Sequence, residues 1–482
     1  MRDQVLALYH RLPAPARSAA ATLRGLYLHL WRYGRESDRL TQQALERDTW
    51  PPEQWRDWRE ARLALVLHRA ATRVPFYRAH WAERRRKGDR ASLELLENWP
   101  VLEKEAVRND PRAFVAEDCN IRRMFREQTS GTTGKPLDIW RSRATIESLY
   151  ALAAARTDDW YGVPVTARFA RLGGQLVTPV RQRRPPFWVW NVVMRQLYMS
   201  TYHLAPDLLP YYLDALKQYR ISYLAGYTSS LVALAQEVLR TGRRDFKMLV
   251  AVTNAEPLHD DQRALISEAF QCPVRETYGM TETVAAASEC EHGRLHEWPE
   301  VGCIEVIEED QLRPPGESGE LVCTGLLNAD MPLIRYRVGD RGRLLPASEQ
   351  CACGRSLPLI GGIDGRNTDL LITRDGRRVA WLNPVFYGLP VRQSQIVQES
   401  LDRIRVRVAP APDFGTRTEQ TITDRLRSRM GEVVIQIERV DEIPRTSNGK
   451  LQAVVCRLTP EERESALRSP ATGLTVPERA TP

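Results

Sequence analysis

The sequence predicts an α/β protein of two domains, a large one over residues 1–365 and a small α+β one over residues 366–460. Three observations carry this. At 482 residues the chain exceeds what one hydrophobic core can fill. Between Asp207 and Val252, apolar residues at helical spacing alternate with short apolar runs, the rhythm of parallel strands joined by helices. From Gly302 to Leu345 the pattern changes to alternation broken by Gly and Pro, which predicts a small β-rich subdomain inside the large domain.

In chain order, residues 1–60 read as an Arg-rich helical extension. Its most apolar segment, Leu23 to Trp31, contains Arg24 and His29, which argues against a membrane span or a secretory leader. An amphipathic helix docked on the body is expected, with contact to a membrane surface as the alternative. Thr145 to Arg156 has the composition of a helix, and Phe169 to Val180 that of a strand and loop. Asp207 to Gln218 and Ser229 to Arg240 are predicted helices, with Ile221 to Tyr227 and Lys247 to Val252 as the strands beside them. In the small domain, a strand at Ile404 to Val408, a polar helix at Thr416 to Met430 and a strand at Val433 to Val440 are expected. Residues 461–482, rich in Pro, Glu, Arg and Thr, are expected to be disordered.

An apolar content of 43% and a charged content of 27% fit a soluble globular protein. The net charge of +8 is spread among carboxylates, and its densest runs, Arg84 to Lys87 and Arg181 to Arg184, are short. They read as solvated surface, so no nucleic-acid partner is expected; a basic surface also suits a small polyanionic substrate. Eight cysteines read as reduced thiols or metal ligands, and a cytoplasmic protein is expected.

The stretch Thr129-Ser130-Gly131-Thr132-Thr133-Gly134-Lys135-Pro136 sets hydroxyls around two glycines and a lysine. Glycines let backbone N–H groups approach an anion, hydroxyls add donors, and the ammonium is a mobile point charge. A Walker A loop needs four residues between its glycines and Ser or Thr after the lysine; here only Thr132 and Thr133 intervene and Pro136 follows. Alone, the stretch is either a polar turn or a phosphate loop. Cys351 and Cys353, with Cys290 and an upstream histidine, make a Cys₃His set suited to tetrahedral zinc, the alternative being reduced thiols in loops. His296 is preferred to His292 as the fourth ligand, because Cys290-Glu291-His292 would crowd one edge.

Six separated stretches resemble, in order and spacing, the adenylate-forming superfamily of acyl- and aryl-CoA synthetases. The nearest likeness is to its phenylacetate–CoA ligase branch and relatives linked to capsular polysaccharide biosynthesis. The stretches are Thr129 to Pro136, Asn254 to Pro257, Tyr278 to Glu282, Arg335 to Asp340, Gly365 to Asp369 and Arg445 to Lys450. The resemblance implies that ATP activates a carboxylic acid as an acyl-adenylate with release of pyrophosphate, after which a thiol such as coenzyme A displaces AMP. It implies a pyrophosphate loop at Thr129, Ser130, Gly131, Thr132, Thr133, Gly134 and Lys135. Glu282 would hold Mg²⁺, for which a single carboxylate suffices chemically, and Thr281 would meet the α-phosphate. Asn254, Ala255 and Glu256 would line adenine opposite Tyr278 and Gly279. Asp340 would accept from the ribose hydroxyls, and Arg366 would contact the nucleotide. Lys450 would serve adenylation before the small domain rotates about a hinge near Asp369. The family usually shows consecutive acidic residues at that hinge, whereas this chain has Asn367-Thr368-Asp369. Members of the branch also carry a structural zinc.

The acid is expected to be aryl or arylacetic. Trp188, Trp190, Tyr198, Tyr202, Tyr223 and Tyr227 are either its pocket or core. The acceptor stays open between coenzyme A, a carrier-protein thiol, an amine and a glycan hydroxyl. The oligomeric state is open as well, with a dimer among the alternatives. A non-catalytic nucleotide-binding relative is the rival reading, and the joint presence of Lys135, Glu282, Asp340 and Lys450 argues against it.

Overall fold

The computed structural model describes residues 2–129, 137–180, 182–205, 207–366, 371–374, 378–379, 382–386, 389–444 and 451–468. A large unit holds residues 1–363, and a small unit holds Asp364–Thr446 and the chain from Leu451.

The large unit opens with helices α1 (Arg2–Arg11), α2 (Ala14–Arg32), α3 (Ser37–Arg47), α4 (Pro52–Arg73) and α5 (Pro75–Arg86). Pro52 and Pro75 sit at first-turn positions, where the missing N–H costs nothing. The helical extension docks on the body: Tyr9 donates to the Val177 carbonyl at 3.1 Å, and Arg17 reaches Thr178 and Gln182, each at 3.2 Å. The short helix α6 (Lys104–Asn109) follows, then a hairpin of β1 (Phe125–Gln128) and β2 (Asp138–Arg141), then α7 (Arg143–Ala153). A π-helical turn, Ala154–Asp159, continues α7.

The centre is a sheet of thirteen strands. Its first half has β3 (Phe169–Gly173), β4 (Trp188–Asn191), β5 (Gln196–Ser200), β6 (Tyr223–Tyr227), β7 (Ala251–Asn254) and β8 (Val274–Gly279), with α8 (Leu209–Gln218), α9 (Thr228–Arg240) and α10 (Asp260–Phe270) between them. Strands β5, β3, β6, β7 and β8 run parallel in that spatial order, as the helix–strand rhythm predicts. Leu213, Leu216, Leu231 and Leu234 on the helices bury against Ala170, Leu172, Leu197 and Leu224 on the strands. The second half is antiparallel: β9 (Ala286–Glu289), β10 (Leu295–Glu297), β11 (Gly302–Glu308), β12 (Gln311–Leu312), β13 (Gly319–Gly325), β14 (Tyr336–Leu344) and β15 (Leu359–Arg366). The β-rich stretch after Gly302 therefore has no sheet of its own. It continues the main sheet, in the order β12, β11, β13, β14, β15, β10, β9, β8. The seam is short: β10 meets β15 in only two register pairs, Leu295 with Ile360 and His296 with Leu359.

In the small unit, β16 (Leu371–Ile372) pairs with β17 (Arg378–Val379), and a four-stranded sheet contains β18 (Val391–Ser400), β19 (Arg403–Pro410), β20 (Val434–Arg439) and β21 (Val454–Cys456). Ile404, Val406 and Val408 point to one face and meet Ile422, Leu426 and Met430 of α11 (Thr416–Met430). The tail corrects an expectation. Disorder was expected from residue 461, but α12 (Pro460–Arg468) forms and buries Ala466 beside Ile372 and Leu458. Thr459 and Glu462 cap it reciprocally, through Glu462 N–H to Thr459 Oγ1 at 3.2 Å and Thr459 N–H to Glu462 at 2.8 Å. Residues 469–482 lie outside the described residues.

Candidate active site

In a parallel sheet flanked by helices, ligands bind beyond the carboxyl ends of the strands. Strand β7 ends at Asn254, and Ala255 follows at φ +61°, which turns the chain sharply. The Glu256 carboxylate accepts from Ser229 N–H at 2.7 Å and Ser229 Oγ at 3.1 Å, so it stabilises the N-terminal turn of α9. The segment Asn254 to Glu256 is thereby fixed at the strand ends, with one carboxylate already committed to structure.

Next to it, two tyrosine–carboxylate pairs interlock. Tyr278 lies on β8 and Glu282 in the turn after it; Tyr336 and Asp340 lie on β14. Tyr278 donates to Asp340 Oδ2 at 2.9 Å, and Tyr336 donates to Glu282 Oε1 at 3.1 Å. Each segment thus gives a tyrosine and, four residues later, a carboxylate, and each tyrosine serves the other segment's acid. Burial, then the Asp340 carboxylate, push the Tyr278 phenol well above its ordinary value, so it stays a neutral donor. The aim of Asp340 comes from a bulge. Glu320 pairs with Arg341 but Val322 with Arg337, so Val338, Gly339 and Asp340 stand opposite Leu321. Gly339 takes φ +86°, which a residue with a Cβ avoids.

Glu282 has a second partner. Lys104 Nζ on α6 lies 2.9 Å from the same Oε1. Among the described residues, both hydrogen bonds to this buried carboxylate fall on Oε1, leaving Oε2 for a further cation. Thr281 precedes it, and the Thr281 carbonyl accepts from Thr283 Oγ1 at 3.2 Å. Thr129 is buried at the base of the β1–β2 hairpin: its N–H donates to the Leu137 carbonyl at 2.9 Å, and its Oγ1 accepts from Leu137 N–H at 2.9 Å. Ser130, Gly131, Thr132, Thr133, Gly134, Lys135, Asp369 and Lys450 lie outside the described residues. Arg366 ends β15, and its side chain also lies outside them.

The four expected metal ligands gather in one place. The ligand atoms of Cys290, His296, Cys351 and Cys353 all lie within 4.8 Å of one another. Cys290 Sγ is 3.6 Å from Cys351 Sγ, and Cys353 Sγ is 3.4 Å from His296 Nε2. Zn–S bonds of about 2.3 Å and Zn–N bonds of about 2.0 Å give tetrahedral edges of roughly 3.5–3.8 Å, so the set fits one zinc ion. Burial pushes His296 down to about 4, which keeps the imidazole in the neutral form that ligates. His292 is exposed in the turn and does not join the set. The cluster straddles the β10–β15 seam, because His296 lies on β10 and the loop of Cys351 and Cys353 leads into β15.

Comparison with known proteins decides the family. The family model described as AMP-binding enzyme matches residues 57–330, more than half of the chain. The chain belongs to the AMP-binding enzyme family. A second model, the CapK C-terminal domain, matches residues 371–457. Protein CapK of Staphylococcus aureus is 28% identical over 373 residues, covering 75% of this chain and 80% of that protein. Phenylacetate-coenzyme A ligase of Thermus thermophilus is 28% identical, covering 68% of this chain and 74% of that protein. Among solved structures, 2-hydroxyisobutyryl-CoA ligase in the postadenylation state superposes with a TM-score of 0.66 at 21% identity, over 87% of this chain and 92% of that one, and shares the fold. The protein is thus an adenylate-forming enzyme of the branch that contains CapK and the phenylacetate ligases, and ATP is its nucleotide.

For this AMP-binding enzyme, the aromatic set does not form one pocket. Trp188 and Trp190 pair with Met199 and Leu197 and face the helices; Trp188 packs edge-on to Tyr212 at 5.9 Å. Tyr198, Tyr223 and Tyr227 lie on the opposite face, where Tyr223 stacks on Phe169 at 5.0 Å. Strand alternation splits them. Two residues escaped sequence reasoning: Lys104, which nothing local marks, and Tyr336, whose signal was the repeated Tyr-to-carboxylate spacing.

Proposed function

We propose that this enzyme activates a carboxylic acid as its acyl-adenylate, releasing pyrophosphate, and passes the acyl group to coenzyme A or another thiol. The observation that carries the reading is the interlock of Tyr278 with Asp340 and Tyr336 with Glu282 at the strand ends of an AMP-binding enzyme. Asp340 has the charge to accept from ribose hydroxyls, and Tyr278 fixes its orientation. The Tyr278 face and the Asn254–Glu256 backbone bracket a site for adenine, with Gly279 leaving room between them. Glu282, held by Lys104 and Tyr336 on one oxygen, offers the other to Mg²⁺, whose bound charge supports the phosphates. Thr281 would offer its hydroxyl to the α-phosphate, and Ser130 to Lys135 would supply donors to the β- and γ-phosphates. Arg366 contacts the nucleotide and Asp369 serves as the hinge. Lys450 stabilises the charge that builds on the α-phosphate.

The acid is read as aryl or arylacetic, supported by the phenylacetate ligase relatives and by Tyr198, Tyr223 and Tyr227 sharing one sheet face near Asn254. The CapK C-terminal domain favours a second reading of the last step, transfer to a carrier-protein thiol, an amine or a glycan hydroxyl. Cys290, His296, Cys351 and Cys353 are assigned to one structural zinc that clips the β10–β15 seam. A closed four-ligand site leaves no position for substrate.

The deciding experiment is ATP–pyrophosphate exchange across a panel of acids. Lys450→Ala is expected to slow exchange about 10²-fold or more while affecting thioester formation from preformed adenylate less. Absence of exchange with every acid tried would count against the ligase reading. Metal analysis of purified protein is expected to find one zinc per chain and to lose it in Cys351→Ser. Stoichiometric metal in that variant would sink the ligand set.

A further inference from the structure

Helix α2 is built inside out for a surface helix. Its small residues Ser18, Ala21, Thr22 and Gly25, at i, i+3, i+4 and i+7, face β4. Ser18 Oγ accepts from Trp190 N–H at 3.2 Å, and Thr22 Oγ1 accepts from Val192 N–H at 3.3 Å. A Cβ on Gly25 would fall 2.2 Å from Asn191 Nδ2, so this face is packed to contact. Leu23, Leu26, Tyr27 and Leu30 repeat the same spacing about 140° around the helix; the three leucines point to solvent, and Tyr27, partly exposed, stacks on Phe125 at 6.3 Å. Leu23 is 69% exposed and Leu30 57%. Helix α1 exposes Val5 and Leu8, 63% and 64% exposed, and Leu12 just past its end is exposed as well. Of the seventeen exposed large apolar side chains among the described residues, eight fall between Val5 and Tyr33. Single exposed leucines need no explanation, but two helices that turn their apolar stripes outward do.

Charge indicates what covers the stripe. Residues 1–35 hold six arginines, one aspartate and no lysine or glutamate, a net +5 out of +8 for the whole chain. Arg11, Arg24 and Arg35 are exposed beside the apolar positions, and no carboxylate occurs between Asp3 and Glu36. A second copy laid on this face would set arginines against arginines with nothing to neutralise them. An anionic bilayer satisfies both features, with leucines below the phosphates and guanidiniums among them. No helix among the described residues is long and apolar enough to cross a membrane, so the contact is interfacial.

We propose that α1 and α2 form an interfacial anchor that seats the protein on an anionic lipid surface. The test is co-sedimentation of the full chain with vesicles of phosphatidylcholine plus phosphatidylglycerol, against phosphatidylcholine alone, with light scattering of the free protein alongside. Binding to the anionic vesicles is expected, weakened by salt, and about tenfold or more weaker in Leu23→Glu and Leu26→Glu. Leu30→Ser, a milder change on the same stripe, is expected to weaken binding with an unchanged circular dichroism spectrum and pyrophosphate exchange. Wild-type protein that ignores anionic vesicles, or variants that bind as well as wild type, would overturn the anchor. So would a dimer in solution that Leu26→Glu dissociates while no vesicle binding occurs, since the stripe would then belong to a second copy.

Discussion

Glu282→Gln is expected to lower the rate of adenylate formation about 10²–10³-fold, a loss of roughly 3–4 kcal/mol of transition-state stabilisation. The substitution keeps the volume and leaves an amide oxygen that can accept from Tyr336. What it removes is the negative charge, and two things depend on that charge. A neutral amide is a poor ligand for a hard divalent cation. Lys104 Nζ, now 2.9 Å from Glu282 Oε1, would also lose its counter-charge in a half-buried site. The double variant Lys104→Met with Glu282→Gln separates these effects. If Glu282 acts through its charge on the nucleotide, the double variant recovers thermal stability but not pyrophosphate exchange. Recovery of exchange would show instead that Glu282 matters only as a partner for Lys104. Lys104→Met alone is expected to be milder, because Tyr336 still orients the carboxylate.

The parts of this site legible in the sequence were those written locally. Apolar spacing marked α8, α9 and β6, and α11 runs over Thr416–Met430 as its polar helical pattern predicts. Cys351 and Cys353 announce a thiol pair wherever they fold. What escaped depends on strand pairing between distant segments. The grouping of His296 with Cys290, Cys351 and Cys353 was legible from their chemistry, but the β10–β15 pairing that achieves it has no local signature, nor does the approach of Lys104 to Glu282 from another element. The split of the aromatic set followed from strand register, because a tyrosine and a tryptophan one residue apart on adjacent strands point to opposite faces. The α12 helix was a different kind of miss. Thr459-Pro460-Glu461-Glu462 spells a capping box with proline at the first helical position, a local signal outweighed by the polar composition around it.

Arg156→Ala is expected to be the most damaging single change to stability, about 3–5 kcal/mol, read as a large fall in the thermal midpoint. Arg156 sits in the π-helical turn after α7 with no side-chain exposure. Its guanidinium donates to Asp48 at 2.9 Å and to both oxygens of Glu300 at 2.7 and 3.0 Å, while Arg47 donates to Glu300 at 2.8 Å. Burial alone would raise the Glu300 carboxyl; Arg156 reverses that and holds it below its ordinary value. Truncation to Ala removes the cation that the two buried carboxylates share, leaving Glu300 to Arg47 and Asp48 with only the neutral Trp160 donor among the described residues, whereas replacing Arg156, Asp48 and Glu300 together with apolar residues of similar volume should recover much of the loss. The effect is expected to spread to the proposed zinc site. Trp160 donates to the same Asp48 at 2.8 Å and packs edge-on to His296 at 5.8 Å, and Ser356, just past Cys353, donates its N–H to the Asp48 carbonyl at 2.8 Å. Loss of Arg156 should therefore speed zinc release to a chelator, followed with a colorimetric dye at a temperature where the variant stays folded. Unchanged zinc release beside a lowered midpoint would show that the buried ion network and the metal clip are independent. Coupled loss would show that the helical extension, through Asp48, braces the seam that joins the Tyr278 half of the sheet to the Asp340 half.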